Sequence, residues 1–196
     1  MEKLTETAED ALWILQEAES RREYAIRCSR DIIRETKKVI HSIHVSEDNT
    51  ETKNVLLGLV SELVACIKDY PLSMSIGPAD DALAEYAEAM IFDSIAKSEK
   101  IPSFGDLGID PGPWVLGLAD SLGEMRRVVL TSLMSGDVRC ASSMFSKMEA
   151  VFHTIMLFDI PDPILPIRRK QDIARGVMER TRTDITNAVM MSKMRV

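Results

Sequence analysis

The chain has 196 residues, of which 45% are hydrophobic and 28% charged, with 31 acidic against 24 basic residues for a net charge of −7. That length suits one domain, spanning 1–196, with a substantial core, and is short for two. With only 5% aromatic residues an all-β fold is disfavoured. No apolar run approaches the roughly 18 residues of a membrane span, and the acidic start (Glu2, Glu6, Glu9, Asp10) lacks the pattern of a signal peptide. A cytoplasmic location follows as the expectation.

Residues 8–45 contain no Gly or Pro, and Ala8, Ala11, Leu12, Leu15, Ala18 and later Ile32, Ile33, Val39, Ile40 and Ile43 keep helical spacing. One helix over that stretch spans about 57 Å at ~1.5 Å per residue. It is therefore either broken or part of an elongated bundle. Ser46–Thr50 reads as a turn and cap. A second helix carries Val55, Leu56, Leu59, Val60, Leu63, Val64 and Ile67 as its stripe and stops before Pro71. Gly77-Pro78 opens a third, running to about Ser98. Residues 99–112, rich in Gly and Pro, read as a loop. Pro113 opens a fourth helix that stops near Gly136-Asp137, and a fifth fits 140–158. Pro161, Pro163 and Pro166 form a connector to a last, basic helix from about Arg168 to Met194. The fold class is all-α, a single-domain elongated bundle of six or seven helices.

Cys28, Cys66 and Cys140 are far apart and odd in number, so neither a disulfide framework nor a thiolate zinc site is supported. They read as small buried hydrophobes. Charge is segregated. Residues 21–38 hold seven basic and three acidic residues, 62–110 three and ten, and 164–196 eight and three. Two basic stretches could hold a polyanion beside an acidic centre; alternatively these faces are solvated or pair with one another.

The fourth helix is apolar around most of its circumference, as buried helices are. One narrow stripe nevertheless holds Asp120, Glu124, Arg127 and Thr131 at i, i+4, i+7 and i+11, flanked by Gly117 and Gly123, which would permit close approach of another backbone. On the third helix Asp81, Glu85 and Glu88 lie opposite Leu83, Ala87 and Met90. If the two helices pack as an antiparallel pair, four carboxylates converge. Buried charges are paired or hold metal, and carboxylates without histidine suit Mg²⁺ or Mn²⁺. The alternative is an internal network of salt bridges to Arg126, Arg127 or the basic helices. His41 and His44 read as surface or nucleic-acid-facing residues, and His153, among Phe152, Ile155 and Met156, as a core or interface histidine. There is no P-loop, no GxGxxG, no GxSxG and no Glu-x-x-His di-iron pair.

Four blocks resemble the translin family, and within it the translin-associated factor X (Trax) branch. They are Arg21-Arg22 with Ser29-Arg30-Asp31-Ile32 and Lys37-Lys38-Val39-Ile40-His41; Glu85-Tyr86-Ala87-Glu88-Ala89; Leu116-Gly117-Leu118-Ala119-Asp120 through Gly123-Glu124 to Arg127, followed by Ser132 and Gly136-Asp137; and the basic last helix. The resemblance implies about seven helices in a hollow homo-oligomer, an octamer, enclosing single-stranded RNA or DNA. In the Trax branch it implies a Mg²⁺-dependent endoribonuclease whose acids match Glu85, Glu88, Asp120 and Glu124. Where translin has a basic segment entering the third helix, this chain reads Ile76-Gly77-Pro78-Ala79-Asp80-Asp81. A chain carrying the acidic set could assemble by itself or with a translin-like paralogue.

The expected function is thus hydrolysis of single-stranded RNA. Glu85, Glu88, Asp120 and Glu124 would hold Mg²⁺ (or Mn²⁺), Arg127 would meet a phosphate, and Arg30 and Lys38 would bind the backbone without regard to sequence. The rivals are a non-catalytic module that binds single-stranded nucleic acid, an all-α nucleotide pyrophosphohydrolase, and a helical scaffold.

Overall fold

The computed structural model describes residues 2–68 and 77–194. Pro71 and Ile76 lie outside the described residues. Seven helices are present among them: α1 (Glu2–Val45), α2 (Thr50–Ile67), α3 (Gly77–Lys97), α4 (Phe104–Leu107), α5 (Pro111–Met134), α6 (Val138–Ile155) and α7 (Arg168–Met194). No strand occurs among the described residues.

α1 is unbroken and about 66 Å long at ~1.5 Å per residue. Its packed half is marked by Ala25, Cys28, Ile32 and Val39, all buried at helical spacing. Residues 3–17 are exposed along every face, Leu4, Leu12, Trp13, Ile14 and Leu15 included. The helix ends where Ser46 turns left-handed at φ 57° and Glu47 N–H donates to the Ser42 carbonyl at 2.9 Å, a closure that satisfies carbonyls the helix would leave open. α2 then folds back, with Tyr24 donating to Glu62 at 2.8 Å.

The segment 99–112 is not wholly loop. Ser103 and Asp106 form a reciprocal capping box around the single turn of α4, and Gly108, at φ 66°, ends it. α5 begins at Pro111 rather than Pro113, because Pro111 already fits the first helical turn. Gly136, at φ 82°, turns the chain, and Asp137 caps α6 by accepting from Cys140 N–H at 2.8 Å. Of the cysteines, only Cys28 is buried; Cys66 is partly covered and Cys140 exposed.

The expected antiparallel packing of the third and fourth long helices is not what forms. Ala84 and Glu88 of α3 bracket Gly117 of α5, and further along both helices Phe92 and Glu124 meet across His44. The two helices therefore run parallel. The connection 98–110 carries the chain back to the starting end, and Trp114 fixes it by donating to the Pro102 carbonyl at 2.9 Å. α1 is parallel to α3 by the same criterion, with Lys37 near Glu85 and His44 on Phe92. The core joins these helices and α6 through Tyr86, Phe92, Ile32, Leu122, Met125 and Met148.

Candidate active site

A cavity of about 920 Å³ opens between α1, α3, α5 and α7. Its walls include Lys37 and His41 from α1, Glu85 and Glu88 from α3, Asp120, Glu124 and Arg127 from α5, and Arg169 and Lys170 from α7. The four predicted carboxylates thus reach one space, although the helices bearing them are parallel. Two α-helices can meet so closely because α5 has glycine at the crossing. A Cβ on Gly117 would stand 2.5 Å from the Ala84 carbonyl oxygen and 2.7 Å from Glu88 N. Gly123 plays no such part: it lines the cavity, and a Cβ there would meet nothing. Asp81 is exposed and outside the lining.

The acids differ in environment. Glu88 is buried, and burial first, then the charges of Asp120, Glu85 and Glu124, raise its carboxyl from 4.5 to about 8. Glu85 is raised in the same direction by burial and Asp120, against Lys37 and Lys170. The two acids of α5 are held by cations or potential cations. Lys170 Nζ lies 2.5 Å from Asp120 Oδ2, and His44 Nε2 lies 2.5 Å from Glu124 Oε2. Arg127 is 3.9 Å from the same Glu124 oxygen. Arg126 points away, to Thr181 Oγ1 and Asp184 of α7 at 2.6 and 2.8 Å.

The basic residues divide. Arg127 lines the cavity. Arg30 is exposed on α1 beside Arg22 and Arg27, on the helical stripe (i, i+7) that leads to Lys37. Lys38 faces elsewhere and donates to both Glu35 oxygens, at 2.8 and 2.9 Å. His153 is exposed rather than in the core. His44 is not a surface residue: its side chain is 8% exposed and stacks against Phe92 with ring centroids 5.1 Å apart. Lys37, His41 and His44 share one face at i, i+4 and i+7, the rule that found the acids of α5. Lys170 had no such signal, because its role depends on where the proline-rich connector delivers α7.

Among the described residues, no three His, Cys, Asp or Glu side chains lie in position to hold a metal ion. The donor chemistry still fits a hard divalent cation. Four carboxylates crowd one cavity, and burial first, then the other three acids, push Glu88 toward its neutral form; a dication would relieve that field. Asp120 and Glu124 would serve such an ion only with Lys170 and His44 turned away from them.

The fold has counterparts among known proteins. No family model matches the chain. It is 32% identical over 182 residues to the uncharacterised protein MJ0175 of Methanocaldococcus jannaschii, covering 92% of this chain and 82% of that protein. The crystal structure of AfC3PO superposes with a TM-score of 0.85 at 30% identity, covering 94% of this chain and 98% of that one. The structure of AfC3PO in complex with duplex RNA gives 0.85 at 29% identity over 94% and 97%. Apo-NeC3PO, 21% identical with a TM-score of 0.83 over 92% and 96%, shares the fold. The chain belongs to the translin family, to which these C3PO structures are assigned. Among the described residues, no helix is long and apolar enough to cross a membrane.

Proposed function

We propose that this protein is a Mg²⁺-dependent endoribonuclease of the Trax type, acting on single-stranded RNA inside an oligomeric shell. The observation that carries the reading is the convergence of Glu85, Glu88, Asp120 and Glu124 on one cavity beside Lys37, Arg127, Arg169 and Lys170. The binding of duplex RNA by AfC3PO supports RNA as the substrate class. Mg²⁺ or Mn²⁺ held by the four carboxylates would supply an activated water and neutralise charge on the phosphoryl oxygen. Arg127 and Arg169, exposed at the rim, would bind phosphates, and Arg30 would extend that track along α1. His44 holds Glu124 in place from behind. The exposed apolar arm of α1 offers contact surface for assembly of copies into a homo-octamer, alone or with a paralogue, in the cytoplasm.

A second reading is favoured by one observation: Asp120 and Glu124 are already paired, with Lys170 and His44. In that reading the acids are structural and the protein binds nucleic acid without cutting it. The test uses end-labelled single-stranded RNA, duplex RNA and single-stranded DNA, with Mg²⁺, Mn²⁺ or chelator, and Asp120→Asn beside wild type. Metal-dependent cleavage of single-stranded RNA that Asp120→Asn abolishes is the expected result. Binding of RNA with no metal-dependent cleavage would establish the second reading instead.

A further inference from the structure

We infer that Lys170 is a resident counter-cation of the acidic cluster, which leaves Asp120 when a divalent ion loads and then takes an RNA phosphate, coupling metal loading to RNA binding. The inference rests on the metal-dependent reading above.

The position of Lys170 is unusual among the basic residues of the cavity. Its ammonium is 2.5 Å from Asp120 Oδ2, and its charge is also felt at Glu85 and Glu88. It thus acts on three of the four carboxylates. Arg169, next in the chain, lines the same cavity but makes no ion pair among the described residues. The chain therefore places one cation within the cluster and another on its rim.

The residue type suits exchange. An ammonium is a compact charge on a flexible four-carbon stem and needs no matched fork of acceptors, unlike a guanidinium. The pair is also accessible, with side chains 30% and 37% exposed, so the tie is a weak one. A dication brought to either oxygen of Asp120 stands within a few ångströms of the ammonium on Oδ2 and repels it. Loading thus expels Lys170, and the walls nearest it offer Arg169, Ile173 and Ala174 but no further acid of α7. The freed ammonium faces the open cavity, where a phosphate is the partner of matching charge.

The test is titration of MgCl₂ and MnCl₂ into chelator-treated wild type, Lys170→Met and Lys170→Arg, followed by calorimetry. Circular dichroism and thermal melts establish that each variant is folded. Lys170→Met should bind the metal about fivefold more tightly than wild type, and Lys170→Arg no more tightly. A second arm measures binding of a non-cleavable 2′-O-methyl RNA oligonucleotide against salt, with and without Mg²⁺. Metal should steepen the log K against log[salt] slope more in wild type than in Lys170→Met, by about 0.7 for one extra phosphate on a single strand. Equal metal affinities, or equal steepening, would overturn the exchange while leaving the metal centre intact. If no protein of the set binds metal, the metal-centre reading falls and the exchange with it.

Discussion

Replacing Glu88 with Gln should remove a loss of stability that the metal-free protein suffers as pH rises. Glu88 is 9% exposed, and its carboxyl is raised from 4.5 to about 8, first by burial and then by Asp120, Glu85 and Glu124. The folded state therefore holds this proton more tightly than the unfolded chain does. As pH rises past the unfolded value, the unfolded chain releases the proton and the folded protein does not, so stability falls until about pH 8. At about 1.36 kcal/mol per unit, the gap has a ceiling of roughly 5 kcal/mol. Relaxation around the charged group brings the expected loss to about 2–4 kcal/mol. Glu88→Gln keeps the shape and removes the titration. Urea melts of both proteins in EDTA, at one protein concentration and from about pH 5 to 8, should coincide at the acid end and diverge in favour of the variant at the alkaline end. Parallel profiles, or a variant that loses ground as pH rises, would refute the picture of a buried Glu88 carboxyl crowded by three other acids.

Gly117→Ala should destabilise the protein by about 2 kcal/mol, because the new Cβ meets the Ala84 carbonyl and Glu88 N rather than pliable side chains, and that overpacking outweighs the ~1 kcal/mol gain in helix propensity. A thermal melt should show Tm lower by about 4–8 °C. Tyr86→Phe removes a buried hydroxyl that has no hydrogen-bond partner; chemical denaturation should find it neutral or stabilised by up to about 1 kcal/mol. Burial alone would raise the Asp93 carboxyl, but hydrogen bonds from Lys53, Lys97 and Asn49 hold it below its usual value. Its contribution is present above the unfolded value and lost as pH falls through the folded one. Asp93→Asn should cost about 2–3 kcal/mol at neutral pH, with the deficit to wild type shrinking in acid urea melts.

The helices were legible because their signals are local. Apolar spacing and the positions of Pro and Gly located all six long helices, and the last runs from Arg168 to Met194 as read. The single turn of α4 was missed: four residues carry no periodicity, and its Ser103–Asp106 box sits inside a Gly- and Pro-rich stretch. The four acids were legible as a stripe on each of two helices. Helix direction was not, because a loop of a dozen residues can either turn back at once or return along the helix before it. His44 was misread from its neighbours Lys37, Lys38 and His41, since nothing local reveals that Phe92 and Glu124 receive it. Lys38 was the expected backbone contact, yet the rotation of α1 turns Lys37 to the cavity and Lys38 to Glu35.

The parallel course of α1, α3 and α5 has a kinetic consequence. Asp120 and Lys170 are 50 residues apart in the chain, and His44 and Glu124 are 80. Hairpins such as α1–α2 close over short loops and form early, whereas contacts of such sequence separation carry a loop-closure penalty and form late. The two contacts that pair the acids of α5 are therefore expected to form late, after the local hairpins. The carboxylates come two by two from α3 and α5, but the cations beside them come from α1 and α7, so the cavity is complete only when both ends of the chain have docked.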